Sequence, residues 1–114
     1  MPFISVKTSS KLTLQQKQEL NRGIGQIISI LPGKAESNVM IEISDGHTLC
    51  FAGQERSGIA FVELRLFRES PTEAKEAFVE AFFKLLEEAA GIKPDDVYMN
   101  IMEFDHWVSR GKLK

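Results

Sequence analysis

Pro2 directly follows Met1, and this pairing is the most chemically pointed feature of the chain. With Met1 removed, residue 2 carries a free secondary amine at the head of an extended run, Pro2-Phe3-Ile4-Ser5-Val6-Lys7. An α-amino group titrates at about 7.7–8.0. Partial burial and a nearby cation both disfavour the ammonium form, so each lowers that value toward a neutral base at ordinary pH. Such a base abstracts a proton beside a carbonyl and returns it elsewhere, as general acid–base chemistry requires. With Met1 retained, the same nitrogen lies in an amide bond and is no base. The bland alternative is that proline after methionine is an ordinary chain start.

Other positions carry groups suited to a substrate. Lys34, just beyond Pro32, is either a cation at a helix C-terminus or a carboxylate binder. Tyr98 and Asn100 share one face of an extended segment, where they contact a substrate or satisfy an interface. Arg65 and Arg68 suit a carboxylate clamp, or else ion pairs with Glu42 or Glu63. His47, beside Asp45-Gly46, reads as a turn histidine, and His106, beside Trp107, as a packed tail residue. Scattered histidines and a lone cysteine make no metal constellation, and no metal or cofactor is expected. Cys50, within Leu49-Cys50-Phe51, reads as a buried, inert thiol with no partner for a disulfide or CxxC motif. Gly23 and Gly25 lie inside a helical run and lack the pattern of a phosphate-binding loop.

The elements that must hold these groups are legible in outline. Thr13-Leu14-Gln15-Gln16 has the capping-box pattern, and the apolar spacing of Leu20, Ile24, Ile27, Ile28 and Leu31 predicts a helix to about Ile30. Ser70-Pro71-Thr72-Glu73 predicts a second helix, with serine as cap, proline at the first position and glutamate closing the box. That helix stops at Gly91. Extended segments flank both: Pro2 to Lys7 and Asn38 to Ser44 around the first, Ile59 to Phe67 and Val97 to Glu103 around the second. Thr48 to Ala52 reads as a short hairpin partner after Asp45-Gly46. Strand, helix, strand, twice over, implies two parallel βαβ crossovers.

The halves align without a gap at an offset of 58 residues, pairing Phe3 with Phe61, Ile24 with Phe82, Gly33 with Gly91 and Val39 with Val97. A duplicated unit follows, with pseudo-repeats of about 1–57 and 58–114 in a single domain. Duplication also exposes asymmetry: Pro2 meets Ala60, Lys34 meets Ile92, Met40 meets Tyr98 and Glu42 meets Asn100. Strand parity gives one apolar face, including Ile4, Val6, Val62 and Leu64, for the helices to cover. The opposite face mixes Phe3, Met40, Phe61 and Tyr98 with Glu42, Glu63 and Arg65. It is too apolar for water and too polar for a core, so sister subunits are expected against it.

Length and composition agree. A chain of 114 residues suits one core. A net charge of −2 with both signs dispersed offers no basic field for nucleic acid or an acidic membrane. The first residues lack a charged leader with a long apolar stretch, and no run approaches the ~20 apolar residues of a membrane span. A reducing cytoplasm is the expected setting.

Together these residues resemble the tautomerase superfamily, specifically its macrophage migration inhibitory factor-like branch. The carriers are Met1-Pro2-Phe3-Ile4, Gly33-Lys34, Phe51-Ala52-Gly53 and, most specifically, Ile92-Lys93-Pro94-Asp95-Asp96-Val97-Tyr98-Met99-Asn100. The likeness covers about residues 1 to 104. It implies an α/β fold: two βαβ repeats in a four-stranded mixed sheet, both helices on one face, assembled as a homotrimer with sites near subunit boundaries. It also implies a cofactor-free keto–enol tautomerase acting on an α-keto or phenylpyruvate-like acid. Pro2 looks like its catalytic base and Lys34 like the electrostatic and carboxylate-binding partner. Tyr98 and Asn100 look like substrate-contacting residues lent by a neighbouring subunit. Two departures stand out. The cysteine pair of the mammalian inhibitory factor is absent after Phe51-Ala52-Gly53, so thiol–disulfide activity is not implied. The tail, Trp107-Val108-Ser109-Arg110-Gly111, is nearer the malonate semialdehyde decarboxylase branch. Arg65, Arg68 and Arg110 would then serve a decarboxylase or hydratase variant. A non-catalytic binding or signalling protein on the same scaffold is the remaining alternative.

Overall fold

In the computed structural model, which describes residues 1–114, burial alternates most clearly along Ala60–Phe67 (β5). Ala60, Val62, Leu64 and Leu66 are buried and the side chains between them are not. Side chains two apart share a face of a strand, so one face of β5 is core. Pro2–Thr8 (β1) runs antiparallel beside it, with Ile4 opposite Leu64 and Val6 opposite Val62. Met40–Ser44 (β2) pairs parallel with β1, and Val97–Phe104 (β6) pairs parallel with β5. The sheet is therefore mixed and four-stranded, in the order β2-β1-β5-β6. The outer pairs share a register: Phe3 faces Met40 as Phe61 faces Tyr98, at the offset of 58 residues.

Parallel neighbours need a crossover, and each pair has a helical one. Leu14–Ile27 (α1) starts at the expected capping box: the Gln16 amide donates to Thr13 Oγ1 at 3.1 Å, and the Thr13 amide to Gln16 Oε1 at 2.9 Å. A short 3-10 turn, Ile28–Ile30, prolongs it to the expected end. Thr72–Ala90 (α2) drives Phe78, Phe82 and Leu86 into the core and stops at Gly91, whose φ of 68° is the left-handed conformation of a helix C-terminus. Each fully buried side chain of this size stabilises the fold by about 1.5–3 kcal/mol. Gly23 is explained by packing, because a side chain there would collide with Leu85 of α2. No helix is long and apolar enough to cross a membrane.

Three local expectations are corrected. Ser70 does not cap α2: the helix opens with Pro71 at the cap and no side-chain cap bond. The Ser70 amide instead donates to Glu103 Oε2 of β6 at 2.6 Å, and the residue is buried. Asp45-Gly46 does not turn into a hairpin with Thr48 to Ala52. The Asp45 carboxylate accepts from the Leu12 amide at 2.9 Å, while the Gly46 and His47 amides donate to the Ser10 and Thr8 carbonyls, tying this loop to the end of β1. The hairpin forms later, between Cys50–Phe51 (β3) and Gln54–Glu55 (β4). Cys50 is exposed rather than buried. Its neighbour Phe51 packs against Tyr98 with ring centroids 5.1 Å apart, so strand alternation turns the thiol outward.

The uncovered sheet face has the mixed character that parity predicts. Met40, Phe61 and Tyr98 are exposed. Ser5 is buried between them, donating to Glu42 at 2.6 Å and accepting from Lys7 at 2.9 Å. Arg65 pairs with Glu63 at 3.1 Å, one of the two anticipated partners. Arg68 makes neither anticipated pair: its φ is 72°, and its guanidinium lies 5.0 Å from the Phe67 ring centroid.

Candidate active site

The antiparallel pairing of β1 with β5 sets Pro2 opposite Leu66 at the head of a central strand, where it is buried. A cavity of about 920 Å³ opens there. Met1, Pro2 and Phe3 form one part of its wall, Ser37, Asn38, Met40 and Arg65 another, and tail residues between Phe104 and Lys114 the rest. This volume lies in the range of small-molecule sites.

Lys34 reaches the same end of the sheet by a different route. Gly33, at a φ of 75°, turns the chain after the 3-10 segment, and the Lys34 amide donates back to the Leu31 carbonyl. Its Nζ donates to the Phe67 carbonyl at the end of β5 at 3.0 Å. Lys34 does not line the cavity, yet its charge is felt there. The α-amino group of Met1 is held below its ordinary value of 8.0, first by burial and second by the Lys34 cation. Both conditions for a neutral amine at the head of β1 are thus present.

Behind this lies a second polar cluster. The β5–β6 register puts Glu103 beside Leu66, in one row with Pro2. Its carboxylate accepts from Lys75 Nζ at 2.8 Å and from the Ser70 amide at 2.6 Å. These bonds, with the charges of Lys75 and Lys34, hold the Glu103 carboxyl below its usual value.

Tyr98 and Asn100 stand elsewhere. Their rows across the sheet contain Lys7 and Ser5, so along β1 they are displaced from Pro2 by ~16 Å and ~10 Å at the usual rise per residue. Both are exposed, and neither lines the cavity of its own chain. Of the expected site residues, one chain therefore gathers Pro2, Lys34 and Arg65 and leaves Tyr98 and Asn100 apart.

The tail contributes more than its sequence suggested. Val108–Ser109 (β7) pairs with Lys112–Leu113 (β8) around Arg110-Gly111, and the Lys114 amide donates to the Trp107 carbonyl at 2.7 Å. Phe104 and Trp107, with ring centroids 6.3 Å apart, anchor this hairpin to the end of β6. His106 is exposed and lines the cavity rather than packing in the tail; Trp107 is the half-buried member of the pair. Arg110 lines the cavity as well. The available signal was Arg110-Gly111 between two short runs, a two-residue hairpin turn.

No family model matches the sequence, and no curated protein matches it either. Solved structures do. MIF2 of Leishmania major superimposes with a TM-score of 0.89 at 23% identity, covering 100% of this chain and 97% of that one. Pt0534 inactivated by 2-oxo-3-pentynoate gives a TM-score of 0.79 at 18% identity, covering 90% of this chain and 85% of that one. A fused 4-OT wild-type symmetric trimer gives 0.84 at 18% identity, covering 96% and 94%. The chain thus has the fold of the macrophage migration inhibitory factor-like proteins and their tautomerase-superfamily neighbours.

Proposed function

We propose that this protein is a cofactor-free keto–enol tautomerase of an α-keto or phenylpyruvate-like acid, with Pro2 as its base once Met1 is removed. The observation that carries this reading is the site of the chain's amine. It lies at the head of a central strand, on a cavity, where burial and Lys34 both favour the neutral form. Freed by loss of Met1, the Pro2 amine stands one residue further along the same strand and inherits both influences. It takes the proton from one position of the keto–enol system and, as the ammonium, returns it to the other, so no net proton is consumed. The Lys34 cation favours the substrate carboxylate and the enolate charge that develops between the two transfers. A neighbour of the same fold was inactivated by a 2-oxo acid, which supports the substrate class.

The reading includes a homotrimer, supported by the exposed Met40, Phe61 and Tyr98 on the open sheet face and by the trimeric fold neighbour. Tyr98 and Asn100 then serve the cavity of an adjacent subunit. The deciding experiment is conversion of enol to keto phenylpyruvate by protein shown by intact mass to lack Met1, beside Pro2→Gly. Activity that falls at least ~100-fold in the variant supports a Pro2 base. Undiminished activity removes Pro2 from the mechanism. An inactive Met1-free wild type leaves a binding scaffold, or the arginine-dependent decarboxylase or hydratase variant suggested by Arg65 and Arg110 on the cavity.

A further inference from the structure

The polar cluster behind the cavity occurs twice. At the offset of 58 residues Glu103 matches Asp45, Ser70 matches Leu12 and Lys75 matches Lys17. The contacts match as well. Asp45 accepts from the Leu12 amide at 2.9 Å and pairs with Lys17 at 3.0 Å. Glu103 accepts from the Ser70 amide at 2.6 Å and from Lys75 Nζ at 2.8 Å. Each carboxylate fastens the turn leading into a helix to the end of the strand that follows that helix. Duplication alone accounts for that much.

The surroundings of the two clusters differ. Asp45 follows Ser44, which pairs with Lys7 at the opposite end of β1 from Pro2. Glu103 lies in the row of Pro2, and the turn it fastens starts at the peptide group joining Phe67 to Arg68. The carbonyl of that group accepts from Lys34 Nζ at 3.0 Å, and its N–H donates to the Phe104 carbonyl at 2.8 Å. Arg68 then turns the chain at a φ of 72°, two residues before Ser70. Lys34 makes no ion pair within the chain, so this one carbonyl is what aims its ammonium. A lysine stem is flexible, and a single acceptor directs it only while that acceptor is itself held.

We propose that Glu103 is a positioning residue: by holding the Ser70 amide it fixes the Phe67–Arg68 peptide, and so holds the Lys34 ammonium at the Pro2 end of the sheet. The consequence for substrate rests on the tautomerase reading; the consequence for the terminal amine does not.

Glu103→Gln and Glu103→Met have side chains of similar length and both lack the charge, but only glutamine offers Ser70 a strong acceptor. A difference between them therefore reports the hydrogen bond and not the lost carboxylate. The other charges on the cavity, Arg65, His106, Arg110 and Lys114, are the same in both. In Met1-free protein isotope-labelled at proline, an NMR titration reads the Pro2 amine without recourse to activity. Its pKa should be higher in Glu103→Met than in Glu103→Gln by about 0.3 or more, because the cation that depresses it is no longer held. KM for phenylpyruvate should be about threefold higher or more in Glu103→Met, while Glu103→Gln stays within about twofold of wild type. Both gaps should vanish in a Lys34→Gln background, where there is no cation to aim. Asp45→Asn and Asp45→Leu are the internal control: losing the bond there should lower Tm and move neither readout. Glu103→Leu takes the place of Glu103→Met if the latter does not fold. Equal amine pKa values in the two Glu103 variants, a gap that survives without Lys34, or the same gap between the Asp45 variants overturns the proposal. A Met1-free wild type that does not turn over phenylpyruvate counts against the tautomerase reading, and the amine titration alone then decides the role of Glu103.

Discussion

The amine at the head of β1 is drawn toward its neutral form by two effects of different origin. Burial acts through lost hydration; Lys34 acts through charge. Lys34→Gln separates them, because glutamine keeps a donor for the Phe67 carbonyl and loses the cation. The acid limb of kcat/KM for enol-to-keto conversion, followed between about pH 5 and 9, should then move to higher pH. It should stay below the ordinary 8.0, because burial, the larger cause, is untouched. KM should rise as well if Lys34 serves the substrate carboxylate as proposed. An unmoved limb would mean that the Lys34 charge does not reach the Pro2 nitrogen. At this scale the sequence was informative where the chemistry is covalently fixed: a proline amine exists wherever Met1 is cleaved before Pro2. It was uninformative for Arg110 and His106, whose place on the cavity depends on how a hairpin folds back.

Elements were legible to the extent that their determinants are local. The capping box of α1 spans Thr13 to Gln16, and it forms. The analogous box at Ser70 fails because Glu103, 33 residues away, accepts the amide hydrogen that marks the helix approach. The apolar run around Cys50 suggests burial, but it does not reveal that the residue lies on a two-residue strand outside the main sheet. The Glu103 cluster yields a stability prediction. Its carboxyl is depressed below 4.5 in the folded chain, chiefly by the Lys75 hydrogen bond and also by the Ser70 amide. A depressed carboxyl contributes stability that is fully present above the unfolded-state value and is lost as pH falls through the folded value. Glu103→Gln should therefore lower Tm at neutral pH, by about 1 kcal/mol in stability. The gap from wild type should close progressively on acidification below 4.5. Thermal melts of both proteins across this range check it, and a gap independent of pH would show that packing rather than charge is what Glu103 supplies.

For the whole molecule, the open sheet face and the placement of Tyr98 and Asn100 pose one question. A single chain sets these residues ~10–16 Å along the sheet from Pro2, with Tyr98 63% exposed. No rotamer change spans that distance, so they reach a Pro2 cavity only if it belongs to another copy. In a closed ring of three, each site would combine Pro2 and Lys34 of one subunit with Asn100 of the next. Subunit mixing tests this directly. Pro2→Gly and Asn100→Ala should each be inactive as pure assemblies. When equal amounts are unfolded together and refolded, a site is intact if its Pro2 comes from an Asn100→Ala chain and its neighbour is a Pro2→Gly chain. Random assortment gives about a quarter of sites in that state, so about a quarter of wild-type activity should return. If each site were built within one chain, every site in the mixture would carry a lesion and no activity would reappear. Sedimentation of the refolded mixture beside wild type distinguishes that outcome from failed assembly, because the trimer must be present in both for the comparison to count against shared sites.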